Sequence, residues 1–176
     1  TLYPMTRGRV ISVNDAALPR WEELEEDGAP RQREANFTWS DEIPTGNALV
    51  DGEWWTADTD QPWVSLEEEF ASDIGAAVGD RLSLRIGADA LEVTVLNIRA
   101  VDWQSMRPNF FTVFPRKVLE AFPGMYMTSF RLLPEQKSLL NQLVGVLPTV
   151  TVIELDIVIR EMRVVIDQVA RALELV

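Results

Sequence analysis

The chain has 176 residues, 47% hydrophobic and 25% charged, the proportions of a globular domain able to bury a core. Its net charge of −12 is the opposite of the basic footprint that nucleic-acid binding needs, and it opposes attraction to anionic lipid headgroups. Cysteine and histidine are both absent, which excludes disulfides, thiolate nucleophiles, Cys- or His-ligated metals and every Ser-His or Cys-His catalytic arrangement.

Met5 to Val13 reads as a strand, with Val10, Ile11 and Val13 supplying β-branched bulk and Asn14-Asp15 a turn. The run Glu22, Glu23, Glu25, Glu26, Asp27 reads as a solvated acidic helix or loop, because nothing around it separates the pKa values of paired carboxylates. Glu34 to Trp39 alternates in period two, with Ala35, Phe37 and Trp39 on one face, as a half-buried strand does. A loop follows from Asp41 to Asn47. Next comes a segment rich in tryptophan and acid, from Asp51 to Trp63, that includes Trp54 and Trp55. Asp58-x-Asp60 lacks the glycine and the distal glutamate of a calcium loop, so no metal is expected there.

Ser65 followed by Glu68 predicts a capping box opening a helix to Ile74, with Gly75 as its stop. Val78-Gly79-Asp80 turns the chain into a hairpin. Leu82, Leu84 and Ile86 alternate on its first strand, and Leu91, Val93 and Val95 on a return strand that runs on toward Val101.

Trp103 to Phe111 is unusually aromatic for a loop. It reads either as a buried plug leading into a strand at Phe110 to Phe114, or as a recognition surface of aromatics and arginine, types enriched at interface hot spots. Pro115 opens a short helix ending near Phe122. Tyr126 to Leu132 reads as a strand, Pro134 to Val146 as a helix and Thr149 to Ile153 as a strand. From Leu155 to Val176 an apolar stripe including Val158, Met162, Val165 and Val169 recurs at three- and four-residue steps, with opposite charges four apart on the polar side. Such a helix needs a partner surface, either its own domain or a second copy of the chain in a homodimer. The chain begins Thr1-Leu2-Tyr3 without an initiator Met and ends inside this helical pattern, so a piece of a larger protein is expected.

The string Val64-Ser65-x-Glu67, Ile74-Gly75, Val78-Gly79-Asp80-Arg81-Leu82, Gly87, Val93-x-Val95-x-x-Ile98-Arg99-x-Val101-Asp102-Trp103 resembles the extracytoplasmic domain of FtsX/MacB-class ABC transporter permeases. The resemblance sharpens to the YbbP-like permeases at Trp103-x-Ser105-Met106-x-Pro108-Asn109-Phe110-Phe111, at Met127-Thr128-Ser129-Phe130, at Met5-x-Arg7-Gly8-Arg9 and at Asn36-x-Thr38-Trp39. It implies an α+β fold in two lobes. A porter-like mixed lobe would comprise residues 1–50 and 123–153, a β-rich lobe of residues 51–122 would be inserted in it, and a connector helix, 154–176, would lead toward a transmembrane segment.

The resemblance also implies a periplasmic domain of an integral inner-membrane protein. A cytoplasmic ATPase would act through the membrane region, and the domain would couple that motion to extrusion or extraction of a hydrophobic, lipid-like substrate, or to a periplasmic partner protein. Expected contact residues are Trp103, Met106, Arg107, Phe110, Phe111, Trp54 and Trp55. Val158, Met162, Val165 and Val169 would face the coupling helix's partner. No Gly-Lys-Ser/Thr phosphate loop occurs, so no nucleotide or other cofactor is expected. The alternative is a stand-alone lipid- or protein-binding module with Trp54, Trp55, Trp63 and Trp103 at its site. An enzyme is not expected: Ser105 and Ser129 have no histidine to activate them, and Lys137 falls on a predicted surface helix.

Overall fold

β1, Tyr3–Val13, buries Thr6, Gly8, Val10 and Ser12 in alternation and turns Arg7 and Arg9 outward. In this computed structural model the described residues are 2–19, 32–105, 107–136 and 138–153. Asn14 and Asp15 both take positive φ, 49° and 66°, the primed-turn geometry that matches strand twist, and β2, Ala16–Ala17, folds back onto β1. β3, Glu34–Trp39, pairs antiparallel with β1.

Six strands then close a ring. β3 lies parallel to β8, Thr112–Phe114, and β8 is antiparallel to β5, Trp63–Glu67. β5 is parallel to β7, Asp89–Val101. β7 forms a hairpin with β6, Arg81–Ile86, and β6 pairs antiparallel with Arg9–Val13 of β1, completing the barrel. Closure removes the ring's free edges. β4, Asn47–Gly52, lies outside the ring on the second half of β7, and β9, Met125–Met127, lies outside it on the first residues of β1.

Val10, Phe37, Val64, Leu66, Leu82, Leu84, Val95 and Phe114 fill the core. The Phe37 and Phe114 rings meet at 5.2 Å. A Cβ on Gly8 would stand 2.1 Å from the Phe37 ring, so the glycine is what lets that ring sit against β1.

α1, Glu68–Ile74, follows β5 directly, and Gly75 ends it at φ 68°. Its N-cap is Glu67, whose carboxylate accepts from the Phe70 N–H at 2.8 Å. The predicted cap, Ser65, is instead a fully buried residue of β5. Its neighbours Val64 and Leu66 are wanted in the core, which keeps the chain extended for one more turn's length. α2, Arg116–Leu119, follows β8.

The strands assigned from the sequence to an inserted lobe do not stand apart from those of residues 1–50. β6 is hydrogen-bonded to β1, and β8 to β3, and residues up to Ser129 form one compact unit. The hairpin's alternation specified two apolar-faced strands but not which neighbours would take their edges. Further corrections concern single elements. β4 forms where a loop and an irregular acidic segment were expected, the strand predicted at 126–132 is confined to Met125–Met127, and 149–153 is not a strand.

A second unit runs from Phe130 onward. There Pro134–Gln136 form a 3-10 turn and Ser138–Val146 form α3. No described helix is long and apolar enough to cross a membrane. The acidic run at 22–27 and the stripe with Val158, Met162, Val165 and Val169 lie outside the described residues.

Two outcomes follow from the β1 contacts. Gly8→Ala should overpack the barrel and cost roughly 1–3 kcal/mol in urea unfolding, with Phe37→Leu in the same chain recovering part of the loss. Arg9 and Arg7 hold Glu34 at 2.5 and 2.9 Å, and hydrogen bonding to Arg9 with the charges of both arginines keeps its carboxyl below the usual 4.5. A carboxyl lowered in the folded state stabilises above the unfolded value and loses that contribution as pH falls through the folded one. Arg9→Gln should move the Glu34 titration, followed by NMR, back toward 4.5.

Candidate functional site

Val93 and Val95 of β7 face the barrel core, but a register shift against β5 then turns Asn97 and Arg99 to the side of Ser65 and Glu67, opposite Leu66 and Ile98, beneath the loop that follows β7. Arg99 is fully buried there. Its Nε donates to Ser65 Oγ at 3.1 Å, Nη1 to Asn47 Oδ1 at 2.5 Å and Nη2 to the Phe110 carbonyl at 2.5 Å. Ser65 Oγ donates to Asn97 Oδ1 at 2.5 Å, and Asn97 Nδ2 donates to the Glu53 carbonyl at 2.9 Å. Burial pushes the Arg99 pKa down to about 10, opposed by attraction to Glu67, so the guanidinium stays charged at neutral pH.

This network holds the aromatic loop. Arg99 grips the carbonyl of Phe110, while the Glu67 N–H donates to the carbonyl of Phe111 at 2.8 Å. Trp103 Nε1 donates to Glu67 Oε1 at 3.4 Å. Within the loop Asn109 Nδ2 reaches the Asp102 carbonyl at 3.1 Å, and Asn47 Nδ2 donates to Asn109 Oδ1 at 3.1 Å. β4, β5, β7 and the loop are thus tied through Arg99 and the polar side chains of Asn47, Ser65, Glu67, Asn97 and Asn109.

Two surfaces result. On one, Trp103 packs on Phe111 with ring centres 5.0 Å apart, and Phe111 stacks on Phe70 of α1 at 5.5 Å. The Arg33 guanidinium lies 5.4 Å from the Phe70 centre and 5.6 Å from that of Phe111, and it is ion-paired with Asp73. The other is an open groove of about 750 Å³ whose walls include Tyr3, Trp39, Asp41, Arg107, Asn109 and Phe110. Arg116 crosses it to Asp41 at 3.0 Å, whereas Arg107 is exposed and makes no ion pair among the described residues.

The expected contact residues are therefore divided. Phe110 is buried and Phe111 packs against the core, in line with the plug reading, while Trp103 keeps 46% of its surface in solvent. Trp54 and Trp55 stack on each other at 4.0 Å, away from Trp103. Their indole N–H groups donate to the Asp41 and Ser40 carbonyls, so they brace the groove wall from behind. Met106 lies outside the described residues. Arg99, Asn97, Asn47 and Glu67 were not singled out as site residues from the sequence. The signal was there in β7, where Asn97 and Arg99 fall at alternate positions of a largely apolar strand, which is no place for an unpartnered polar residue.

No family model matches the chain. The chain is 34% identical over 161 residues to the uncharacterized ABC transporter permease YbbP of Escherichia coli (strain K12), a match covering 92% of this chain. The chain belongs to the YbbP-like ABC transporter permeases. It spans 19% of the length of that relative, so it corresponds to one segment of a permease. A crystal structure described as a domain of a candidate permease protein from Porphyromonas gingivalis overlaps 82% of this chain and 69% of its own, at 14% identity and a TM-score of 0.42. That overlap is too loose to establish a shared fold. Among the described residues no group of three or more Asp or Glu is placed to hold a metal ion. The permease-associated domain thus presents one tied loop with a tryptophan face and a groove on its flanks.

Arg99→Ala should leave buried acceptors on Asn47, Ser65 and Phe110 without a donor and cost on the order of 3 kcal/mol or more, read by urea unfolding followed by circular dichroism and by total tryptophan emission. Arg99→Lys should recover only part, because an ammonium cannot fork to three partners in this geometry. Phe110→Ala should cost roughly 3–5 kcal/mol, as a buried ring does, and Phe111→Ala less.

Proposed function

We propose that this chain is the extracytoplasmic, periplasmic domain of an inner-membrane ABC permease, and that it couples ATPase-driven movement of membrane helices to the handling of a hydrophobic substrate or a periplasmic partner. The observation that carries this reading is the 34% identity to YbbP along nearly the whole chain. The ATPase would be a separate cytoplasmic subunit acting through the membrane region. The domain would move as a body, in a hinge or shear displacement.

The described architecture suits that role. A closed barrel transmits displacement without deforming, and the loop that carries Trp103 is fastened to it at both ends. The groove beside Arg107 and Phe110 is large enough for part of a ligand, which favours substrate contact there as the second mode of action. The domain would not be an enzyme: with neither histidine nor cysteine, no serine here has a neighbouring base of the usual kind.

Placement can be read directly in the intact permease. Val50 is 53% exposed on β4, and these 176 residues contain no cysteine. With other cysteines of the permease replaced, Val50→Cys should react with a membrane-impermeant maleimide in cells whose outer membrane alone is permeabilised. Reaction only after the inner membrane is opened would reverse the proposed orientation. The isolated chain should show no heat of ATP binding by calorimetry, and stoichiometric binding would place nucleotide chemistry in this domain.

A further inference from the structure

The stack Phe70–Phe111–Trp103 already carries a cation at one end. Arg33 lies over Phe70 and Phe111 while its guanidinium is ion-paired with Asp73, a carboxylate on the same helix as Phe70. The Trp103 end of the stack repeats the ingredients and faces solvent. Its ring is 46% exposed, and tryptophan is the strongest of the aromatic platforms for a cation. Its orientation is fixed by Phe111 behind it and by the Nε1 bond to Glu67.

The charge around it is one-sided. Residues 34–80 contain twelve Asp and Glu and no Lys or Arg, which equals the net charge of the whole chain, −12. Four described cations that reach this stretch are already ion-paired, Arg7 and Arg9 with Glu34, Arg33 with Asp73, and Arg116 with Asp41, while Arg99 is fully buried behind Glu67 and Lys117 donates to the Asp58 carbonyl. Glu68 and Glu69, exposed in the first turn of α1 next to Glu67, have no ion pair among the described residues. Asp102, beside Trp103, accepts through its carboxylate from the Gln104 N–H and has no ion pair among the described residues.

We infer that the Trp103 face, with Glu68, Glu69 and Asp102, docks a positively charged side chain, arginine or lysine, of a protein partner. This names the chemistry of the partner in the function proposed above and rests on that reading. The cation stacks on the open indole face while the carboxylates neutralise it, as Asp73 does for Arg33. An anionic lipid surface is disfavoured by the same charges.

The test titrates the 176-residue chain with an oligoarginine peptide and, as control, a glycine–serine peptide of equal length. The indole N–H resonance of Trp103, assigned by its loss in Trp103→Phe, is followed by NMR. Oligoarginine should shift it and the neutral peptide should not. Trp103→Leu should weaken binding about tenfold, Trp103→Phe less, and Glu68→Gln with Glu69→Gln to a similar degree as Trp103→Leu. Asp58→Asn with Asp60→Asn, at the opposite end of β5, should leave the affinity unchanged. Thermal unfolding of each variant confirms that the fold survives. Equal binding by Trp103→Leu overturns the inference. So does an Asp58/Asp60 variant weakened as much as the Glu68/Glu69 one, since the peptide would then sense diffuse acidity. Either result removes the cationic partner while leaving the membrane placement, read by thiol labelling, untouched.

Discussion

Arg99 has to be satisfied while fully buried between the barrel wall, β4 and the aromatic loop, with no carboxylate at ion-pair distance among the described residues. A charge withdrawn from water costs several kcal/mol unless its donors are met. Here the three donor directions go to a hydroxyl, an amide oxygen and a main-chain carbonyl, each bond to a charged donor contributing roughly 1.5–3 kcal/mol. Those partners come from β5, β4 and the loop before β8. Satisfying one side chain therefore sets the relative position of three chain segments that are distant in sequence. The acid of the system, Glu67, caps α1 with one oxygen and holds Trp103 with the other. Helix, loop and barrel are fixed by the same pair of residues.

The barrel explains why this arrangement stays rigid. Its six strands have no open seam, and the two parallel pairings, β3 with β8 and β5 with β7, join segments that a chain of hairpins alone would leave apart. Tight approach at Gly8 and the Phe37–Phe114 contact fill the middle, while Asn97 and Arg99, toward the far end of β7, face away from that core and lie under the aromatic loop. Polar residues at that end exchange packing freedom for directionality, because hydrogen bonds specify geometry where methyl groups do not.

In the proposed coupling role such stiffness would have a use. Displacement of the barrel would be passed to Trp103 and to the groove wall, because the loop is fastened to the barrel. The tryptophans that looked like one recognition surface divide the labour. Trp54 and Trp55 brace the groove from behind, and Trp103 faces outward in strongly acidic surroundings.

Much of this was legible in the residues. Period-two alternation located β1, β3 and the β6–β7 hairpin, Gly75 marked the end of α1, and the missing histidine and cysteine narrowed the chemistry. The string around Trp103 pointed to the permease family because it is specific at many positions at once. Alternation tells which face of a strand is buried but not which strand lies beside it, so it could not replace the two lobes that the resemblance implied with the one barrel that closes. Ser65 shows the same limit at a single residue. Its spacing to Glu68 is a capping box in any isolated peptide, and only the demand for Val64 and Leu66 in the core, with Arg99 beside it on the neighbouring strand, keeps it in a strand. Local pattern determined what each segment could be. Edge pairing and the burial of one cation, which depend on residues far apart in the chain, decided what it became.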